Sequence, residues 1–327
     1  MSLLSKELSK SNDVTIILFD EIIDYEFAGK LININCVTKK SIYGKTINVL
    51  NRTLKLKKIF KKENFDKIFA FMESAYLPSI LTRFPIIASL RNNPEKSSLF
   101  ITKYILPKAK YIVCVSKNIE KALREDFKIL NVITIYNPVN LKSLEKHGEN
   151  LSKYQPFLLG IGRLHEQKNF ELLINAFSKT KARERAKLLI LGDGHMKKQL
   201  QKMVRELNLE SKVYLMGQRD NIVDYYIQSK IFILSSIYEG FPNVLVEALA
   251  NQCPIISTNC PTGPSEIINN YKNGILVENG NETQMCKAID KLFFNKDLIN
   301  TFKNNAIKSV EYLDIKIIAQ KWLEVNT

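Results

Sequence analysis

Short apolar runs rich in β-branched residues alternate with longer amphipathic stretches along nearly the whole chain, and that alternation leaves few folds open. In the first half the strand candidates are residues 14–19, 67–71, 86–89, 111–115 and 132–135, with helical periodicity over 41–62 and 118–126. Strand, helix, strand at this spacing predicts βαβ units and hence a parallel sheet with helices on its faces. After Asn137-Pro138 a polar stretch, 140–155, has no strong periodicity and reads as a linker. The pattern then restarts, with strands at 157–160, 187–191, 213–216, 231–234 and 254–257 and helices at 170–179, 196–207, 222–228 and 243–251. At 327 residues the chain is long enough for two domains, each with its own core. The expectation is therefore an α/β protein of two doubly wound domains, 1–150 and 151–327. The second ends in a helical stretch, 297–327, anchored by Trp322. Ligands in open α/β sheets bind at the carboxyl ends of strands, which predicts a site in a cleft between the two domains.

Charge and cysteine usage narrow the function classes. No uninterrupted apolar run approaches the roughly 20 residues of a membrane span. The amino end mixes Lys and Glu with isolated leucines, unlike a secretory signal, so the expected compartment is the cytoplasm. Five scattered cysteines without CxxC spacing, and three histidines (His147, His165, His195) that do not cluster with them, argue against a disulfide framework or a metal site. The net charge is +15 and uneven: residues 1–150 hold 25 Lys/Arg against 15 Asp/Glu, residues 151–327 hold 23 against 18. The densest basic stretch carries Lys55, Lys57, Lys58, Lys61 and Lys62. If helical, it sets an apolar stripe beside a basic one, which suits an anionic membrane surface on the inner face of the membrane. The alternative is a core-facing helix with a solvated lysine face. No nucleic-acid motif accompanies the charge, so no nucleic-acid partner is expected.

Two stretches carry chemistry. In the first, the apolar strand 157–160 runs into Gly162-Arg163-Leu164, with Lys168 five residues after Arg163 and a helix beginning at Phe170. Two cations and free backbone N–H groups at a strand's carboxyl end suit a diphosphate, although a surface loop with Arg and Lys is also common. In the second, the strand ending at Leu234 leads through Ser235 and Ser236 to Glu239, Gly240, Phe241, Pro242, Asn243 and Val244. Gly240 permits a tight turn, and Pro242 suits the first turn of the next helix. The N–H groups of Asn243 and Val244 would then point out of a helix start with its positive dipole end behind them. Glu247, two turns along, falls among Val244, Leu245, Val246, Ala248 and Leu249; a carboxylate there is costly unless it has a partner such as a ribose diol, or unless it simply faces solvent.

Glu239 and Glu247, with Gly240-Phe241-Pro242 between them, resemble the E-x7-E motif of retaining glycosyltransferases of family 4, which have the GT-B fold of two Rossmann-like domains. Gly162-Arg163-Leu164 with Lys168 resembles that family's GRL…K segment, and Leu191-Gly192-Asp193-Gly194 its LGDG turn. Pro261-Thr262-Gly263-Pro264-Ser265-Glu266-Ile267, followed by Asn273-Gly274-Ile275-Leu276-Val277, is similar to its P-x-G-P-x-E-I … NG-x-LV stretch. The match is strong across the second domain and diffuse across the first.

The resemblance implies a cytoplasmic transferase that moves a hexose or N-acetylhexosamine from a nucleotide-sugar, a UDP-sugar by the 261–268 stretch, to a saccharide or lipid-linked acceptor in surface-glycan assembly. By the same resemblance, Arg163 and Lys168 neutralise the donor's diphosphate, Glu247 holds the ribose hydroxyls and Glu239 contacts the transferred sugar. Gly162, Gly240, Phe241, Asn243 and Val244 complete the donor site, and the loop with Arg219 and Ile222 lies near the base. No metal ion and no cofactor is implied, because Arg, Lys and a helix dipole do the charge work. On the acceptor side Arg91 and Asn92 stand where some members carry a histidine, and His165 and His195 are read as neighbours rather than catalysts. Residues 1–15 resemble the first helix and second strand of such a domain, so its first strand and glycine-rich loop are expected to be missing, with a cost in stability and turnover. Two other readings stay open: a nucleotide-sugar-binding member without turnover, and a UDP-sugar 2-epimerase, whose ring acid/base residues these motifs do not supply.

Overall fold

The computed structural model describes residues 2–20, 26–36, 42–91, 98–141 and 148–325. The chain divides into two compact units, Met1–Pro138 with Leu313–Thr327, and Val139–Tyr312.

In the first unit the order is α1 (Ser2–Leu8), β1 (Thr15–Leu18), β2 (Lys30–Asn33), α2 (Ile42–Glu63), β3 (Ile68–Phe71), α3 (Glu73–Leu81), β4 (Ile86–Leu90), β5 (Tyr111–Cys114), α4 (Lys117–Glu125) and β6 (Val132–Thr134). Among the described residues these strands form two separate parallel sheets, β1–β2 and β3–β4–β5–β6. All five residues of β4 are buried, as a central strand covered on both faces requires. Helix α4 begins where the Ser116 hydroxyl accepts the N–H of Ile119 at 3.2 Å. Helix α2 turns Leu56 and Phe60 into the core, and Phe60 meets the rings of Phe65 and Phe84 edge-on. Its Lys57, Lys58, Lys61 and Lys62 are exposed, and so are Ile47, Leu50 and Leu54. Arg52, buried on the same helix, donates from Nη2 to the Cys36 carbonyl at 2.7 Å and lies over the ring of Phe19.

The second unit runs β7 (Phe157–Ile161), α5 (Phe170–Ser178), β8 (Lys187–Leu191), α6 (Lys197–Glu206), β9 (Val213–Gly217), α7 (Ile222–Gln228), β10 (Ile231–Leu234), α8 (Asn243–Ala250), β11 (Ile255–Asn259), α9 (Pro264–Ile267), β12 (Ile275–Glu278), α10 (Glu282–Phe294) and α11 (Lys296–Ala306). Its sheet has the order β12-β11-β10-β7-β8-β9, and every pair is parallel. The order runs outward in both directions from β7 and β10, so the topological switch point lies between these two strands. The two motif loops are the segments that follow them. Leu158, Leu188, Ile190, Ile231, Ile233 and Ile256 form the buried middle of the sheet under Leu173, Phe177 and Ile289.

The last helix, α12 (Ile315–Glu324), corrects the expected boundary. Sequence periodicity leaves it in a second domain of 151–327, whereas the chain changes unit at 138/139 and returns to the first unit at Leu313. The cause is Trp322, whose ring lies 5.1 Å from those of Phe69 and Phe71 in a cluster with Leu4, Leu8, Ile87 and Val113. Lys67 then caps the helix, donating from Nζ to the carbonyls of Leu323 and Val325.

Candidate functional site

Four loops meet at the switch point, those after β7, β8, β10 and β11. The Gly162 N–H donates to Leu191 O at 3.0 Å and the Leu164 N–H to Asp193 O at 2.9 Å, which fastens the loop after β7 to the turn after β8. A Cβ on Gly192 would stand 1.9 Å from Gly162 O, and its φ of +131° is one that side chains avoid, so only glycine lets these backbones approach. The loop after β11 is held to the loop after β10 by Thr262, whose hydroxyl donates to Glu239 O. Gly263, at φ +95°, faces Pro242 Cδ where a Cβ would come within 2.4 Å. The four motifs quoted from the sequence are thus one packed structure.

Within it Lys168 and Glu239 are brought into contact. Lys168 closes the single 3-10 turn Glu166–Lys168, and its Nζ lies 2.6 Å from Glu239 Oε1. Ser236 donates to the same oxygen at 2.6 Å, and the Ser235 hydroxyl donates to Lys168 O at 2.7 Å. Gln167 crosses to the same loop, donating from Nε2 to Tyr238 O at 2.9 Å. Glu239 is buried, a position a carboxylate holds only with such partners. Arg163 is exposed, and its guanidinium makes no ion pair among the described residues. His165 and His195 flank Glu166 on the outer side of this loop, with His195 Nε2 2.8 Å from Glu166 Oε1.

Helix α8 starts at Asn243 without a side-chain cap, and Pro242 occupies the N-cap position rather than the first turn. Phe241 is buried behind it, Gly240 and Val244 are half-buried, and Asn243 is exposed. Glu247 is half-buried on the same helix, its Oε2 3.1 Å from the hydroxyl of Tyr226. Desolvation raises its pKa above the usual carboxylate value, and the Tyr226 hydrogen bond opposes that rise. Arg219 sits on the exposed loop after β9 and donates to Tyr225 Oη at 3.3 Å, with Ile222 opening α7 next to it. In the first unit Arg91 follows β4 and donates to Asn137 Oδ1 at 2.6 Å, and burial lowers its pKa. Asn92, the other expected acceptor-side residue, lies outside the described residues. Among the described residues no three His, Cys, Asp or Glu side chains converge as metal ligands. Ser236, Thr262 and Tyr226 carry no signal in the sequence reading, although the first two stand inside the quoted stretches.

Comparison with known proteins places this arrangement. Residues 142–309 match the family described as Glycosyl transferases group 1. Over 337 aligned residues the chain is 29% identical to the N-acetylgalactosamine-N,N'-diacetylbacillosaminyl-diphospho-undecaprenol 4-alpha-N-acetylgalactosaminyltransferase of Campylobacter jejuni, spanning 97% of this chain and 92% of that one. Among solved structures, a glycosyltransferase of Rickettsia africae superposes with a TM-score of 0.79 at 22% identity, over 99% of this chain and 92% of that one. The HepE protein of Anabaena in complex with UDP superposes at 0.78 and 18% identity, over 98% and 93%. Two units of parallel sheet and helix, with the family signature spanning half of the chain, settle its membership: the protein belongs to the glycosyl transferases group 1, and its fold is the α/β fold of the GT-B glycosyltransferases.

Proposed function

We propose that the protein is a retaining, metal-independent hexosyltransferase that moves a hexose or N-acetylhexosamine from a UDP-sugar to a lipid-linked or saccharide acceptor in surface-glycan biosynthesis. The observation that carries this reading is the pairing at the switch point of a Lys168–Glu239 contact with an exposed Arg163 that has no ion pair among the described residues, ahead of a helix, α8, that carries the Glu247 carboxylate on its second turn. Arg163 and Lys168 hold the diphosphate and stabilise the leaving nucleotide, together with the uncapped start of α8. The incoming phosphate competes with Glu239 for Lys168, which frees the carboxylate to meet the transferred sugar. Glu247 binds the ribose diol, Arg219 and Ile222 border the base, and the leaving phosphate takes the acceptor's proton as attack proceeds on the same face. Arg91 contacts the acceptor. The Campylobacter relative is named for a diphospho-undecaprenol acceptor and the Anabaena neighbour holds UDP, and both support this choice of substrates.

Separable effects of the two glutamates test the assignment. Glu247→Gln should weaken UDP binding by about 1.5–3 kcal/mol through loss of charge-assisted bonds to ribose. Glu239→Gln should lower kcat more than donor affinity, because its contact with the sugar tightens in the transition state. A panel of nucleotide-sugars in a thermal-shift screen identifies the donor, and steady-state kinetics on both variants follow. Near-normal activity in both would remove the site from this loop, and donor binding without turnover in the parent protein would mark it as a binding member only.

We also place the protein on the cytoplasmic face of the membrane, although no described helix is long and apolar enough to cross it. Helix α2 does face the core, but its outer side carries exposed Ile47, Leu50 and Leu54 ahead of the lysines. Each basic residue near an anionic surface is worth about 1 kcal/mol and is screened by salt. Co-sedimentation with phosphatidylglycerol vesicles should therefore fall steeply between low and high salt. It should also fall in a variant with Lys57, Lys58, Lys61 and Lys62 changed to Gln. Equal binding to neutral vesicles would leave α2 as a core helix and nothing more.

A further inference from the structure

Tyr226 is fully buried on α7, edge-on to Phe232 of β10 at 5.4 Å between ring centres, yet its hydroxyl reaches two oxygens of α8. It lies 3.1 Å from Glu247 Oε2 and 3.2 Å from the Val244 carbonyl. Both partners are acceptors and a phenol has one proton, so the group serves only as a donor shared between them. Burial, with the Glu247 carboxylate second, raises its pKa well above that of a free phenol, so the proton is never lost in the physiological range. The other oxygen of Glu247, Oε1, takes no hydrogen bond among the described residues. Among the described residues Tyr226 is the one titratable group hydrogen-bonded to the Glu247 carboxylate; Cys253 acts on Tyr226 instead, and Lys303 of α11 on Cys253.

We infer that Tyr226 is the positioning residue for Glu247, its phenol fixing one carboxylate oxygen in ionised form so that the other is left for the ribose hydroxyls of a nucleoside diphosphate. This rests on the reading of Glu247 as the ribose ligand. The division of labour is chemical. A half-buried carboxylate tends to take up a proton, and a protonated Glu247 would lose its charge-assisted bonds to ribose. A donor that cannot ionise offsets that tendency without competing for the ligand. Removing it should raise the Glu247 pKa further, so the cost to binding should grow as the pH falls.

The test is calorimetric titration of UDP into the full-length protein between pH 8 and pH 6, for the parent, Tyr226→Phe, Glu247→Gln and the double variant. The β-phosphate of UDP titrates in this range for all four, so the readout is the ratio of each variant to the parent. For Tyr226→Phe the expected loss is about 3-fold at pH 8 and grows as the pH is lowered to 6. In the Glu247→Gln background the same change should have no further effect at any pH. Fluorotyrosine in place of Tyr226, a stronger donor of nearly the same shape, should move the acid limb the opposite way, which keeps the test decisive if Phe is poorly tolerated. A Tyr226→Phe loss that is constant with pH and additive with Glu247→Gln would overturn the inference and leave Tyr226 a packing residue. A parent protein that binds none of UDP, GDP and ADP would instead overturn the reading of the site itself, and this inference with it.

Discussion

Replacing Lys168 by Gln is expected to lower kcat/KM for the UDP-sugar by about 100- to 1000-fold, the scale on which removal of one pre-positioned electrostatic partner slows a transfer reaction. The substitution also leaves Glu239 buried with Ser236 as its remaining side-chain donor, so the protein should lose about 3 kcal/mol of stability as well. The two losses separate in the Lys168→Gln, Glu239→Gln double variant. With both charges gone the desolvation problem disappears and the melting temperature should recover, while the rate should not. Arg163→Ala provides the contrast: exposed and without an ion pair among the described residues, it should lower turnover and leave stability within about 0.5 kcal/mol. Turnover restored in the double variant would show that the ion pair is a clamp between two loops and not part of the transfer chemistry.

Trp322→Ala should be the most damaging single change to the fold. The side chain is buried between Phe69 and Phe71 and packs with residues of α1, β4 and β5, so its removal costs both apolar area and a cavity. About 3–5 kcal/mol is expected, a large part of the whole stability of a domain of this size. Residues 313–327 group with the first unit, so the second unit's own transition should stay where it is. Differential scanning calorimetry should show one transition moved down and the other unmoved, and amide exchange should speed up in β3, β4 and β5 but not in β7, β8 and β10. A uniform shift of both transitions would mean that the terminal helix stabilises the two units together.

Strand and helix content was legible wherever burial is complete. In β4, β7, β8 and β10 nearly all residues are apolar, without alternation, because a parallel sheet is covered on both faces, and those runs stand out from any neighbour. The elements that escaped notice lack that mark. Strand β2, Lys30–Asn33, is half polar and lies beside a single partner among the described residues, and α3 carries Pro78 in its interior, which reads as a breaker. Strand β12, Ile275–Glu278, is four residues long and only half of it is buried, too little for a strand pattern to show. In the candidate site Arg163, Lys168, Glu239 and Glu247 announced themselves by spacing to a resemblance, whereas Ser236, Thr262 and Tyr226 are ordinary residues until their partners are known.

What the amino-acid sequence determined by itself is local: the order of strands and helices, the two-domain α/β class, and the short spacings that lie within one loop or one helix. These follow from backbone propensity, periodicity and turn chemistry, which act over a few residues. Only the tertiary structure decided which distant segments meet. Lys168 finds Glu239 across 71 residues because β7 and β10 are neighbours in the sheet, and Tyr226 finds Glu247 across 21 because α7 packs on β7 and α8 on its neighbour β10. The last helix joins the first unit although it follows the second in the chain. Apolar burial has no direction and no memory of sequence distance, so an amphipathic helix carries no label for the surface it will cover. Trp322 goes where Phe69 and Phe71 leave a face open, and that face exists only once the first unit has folded.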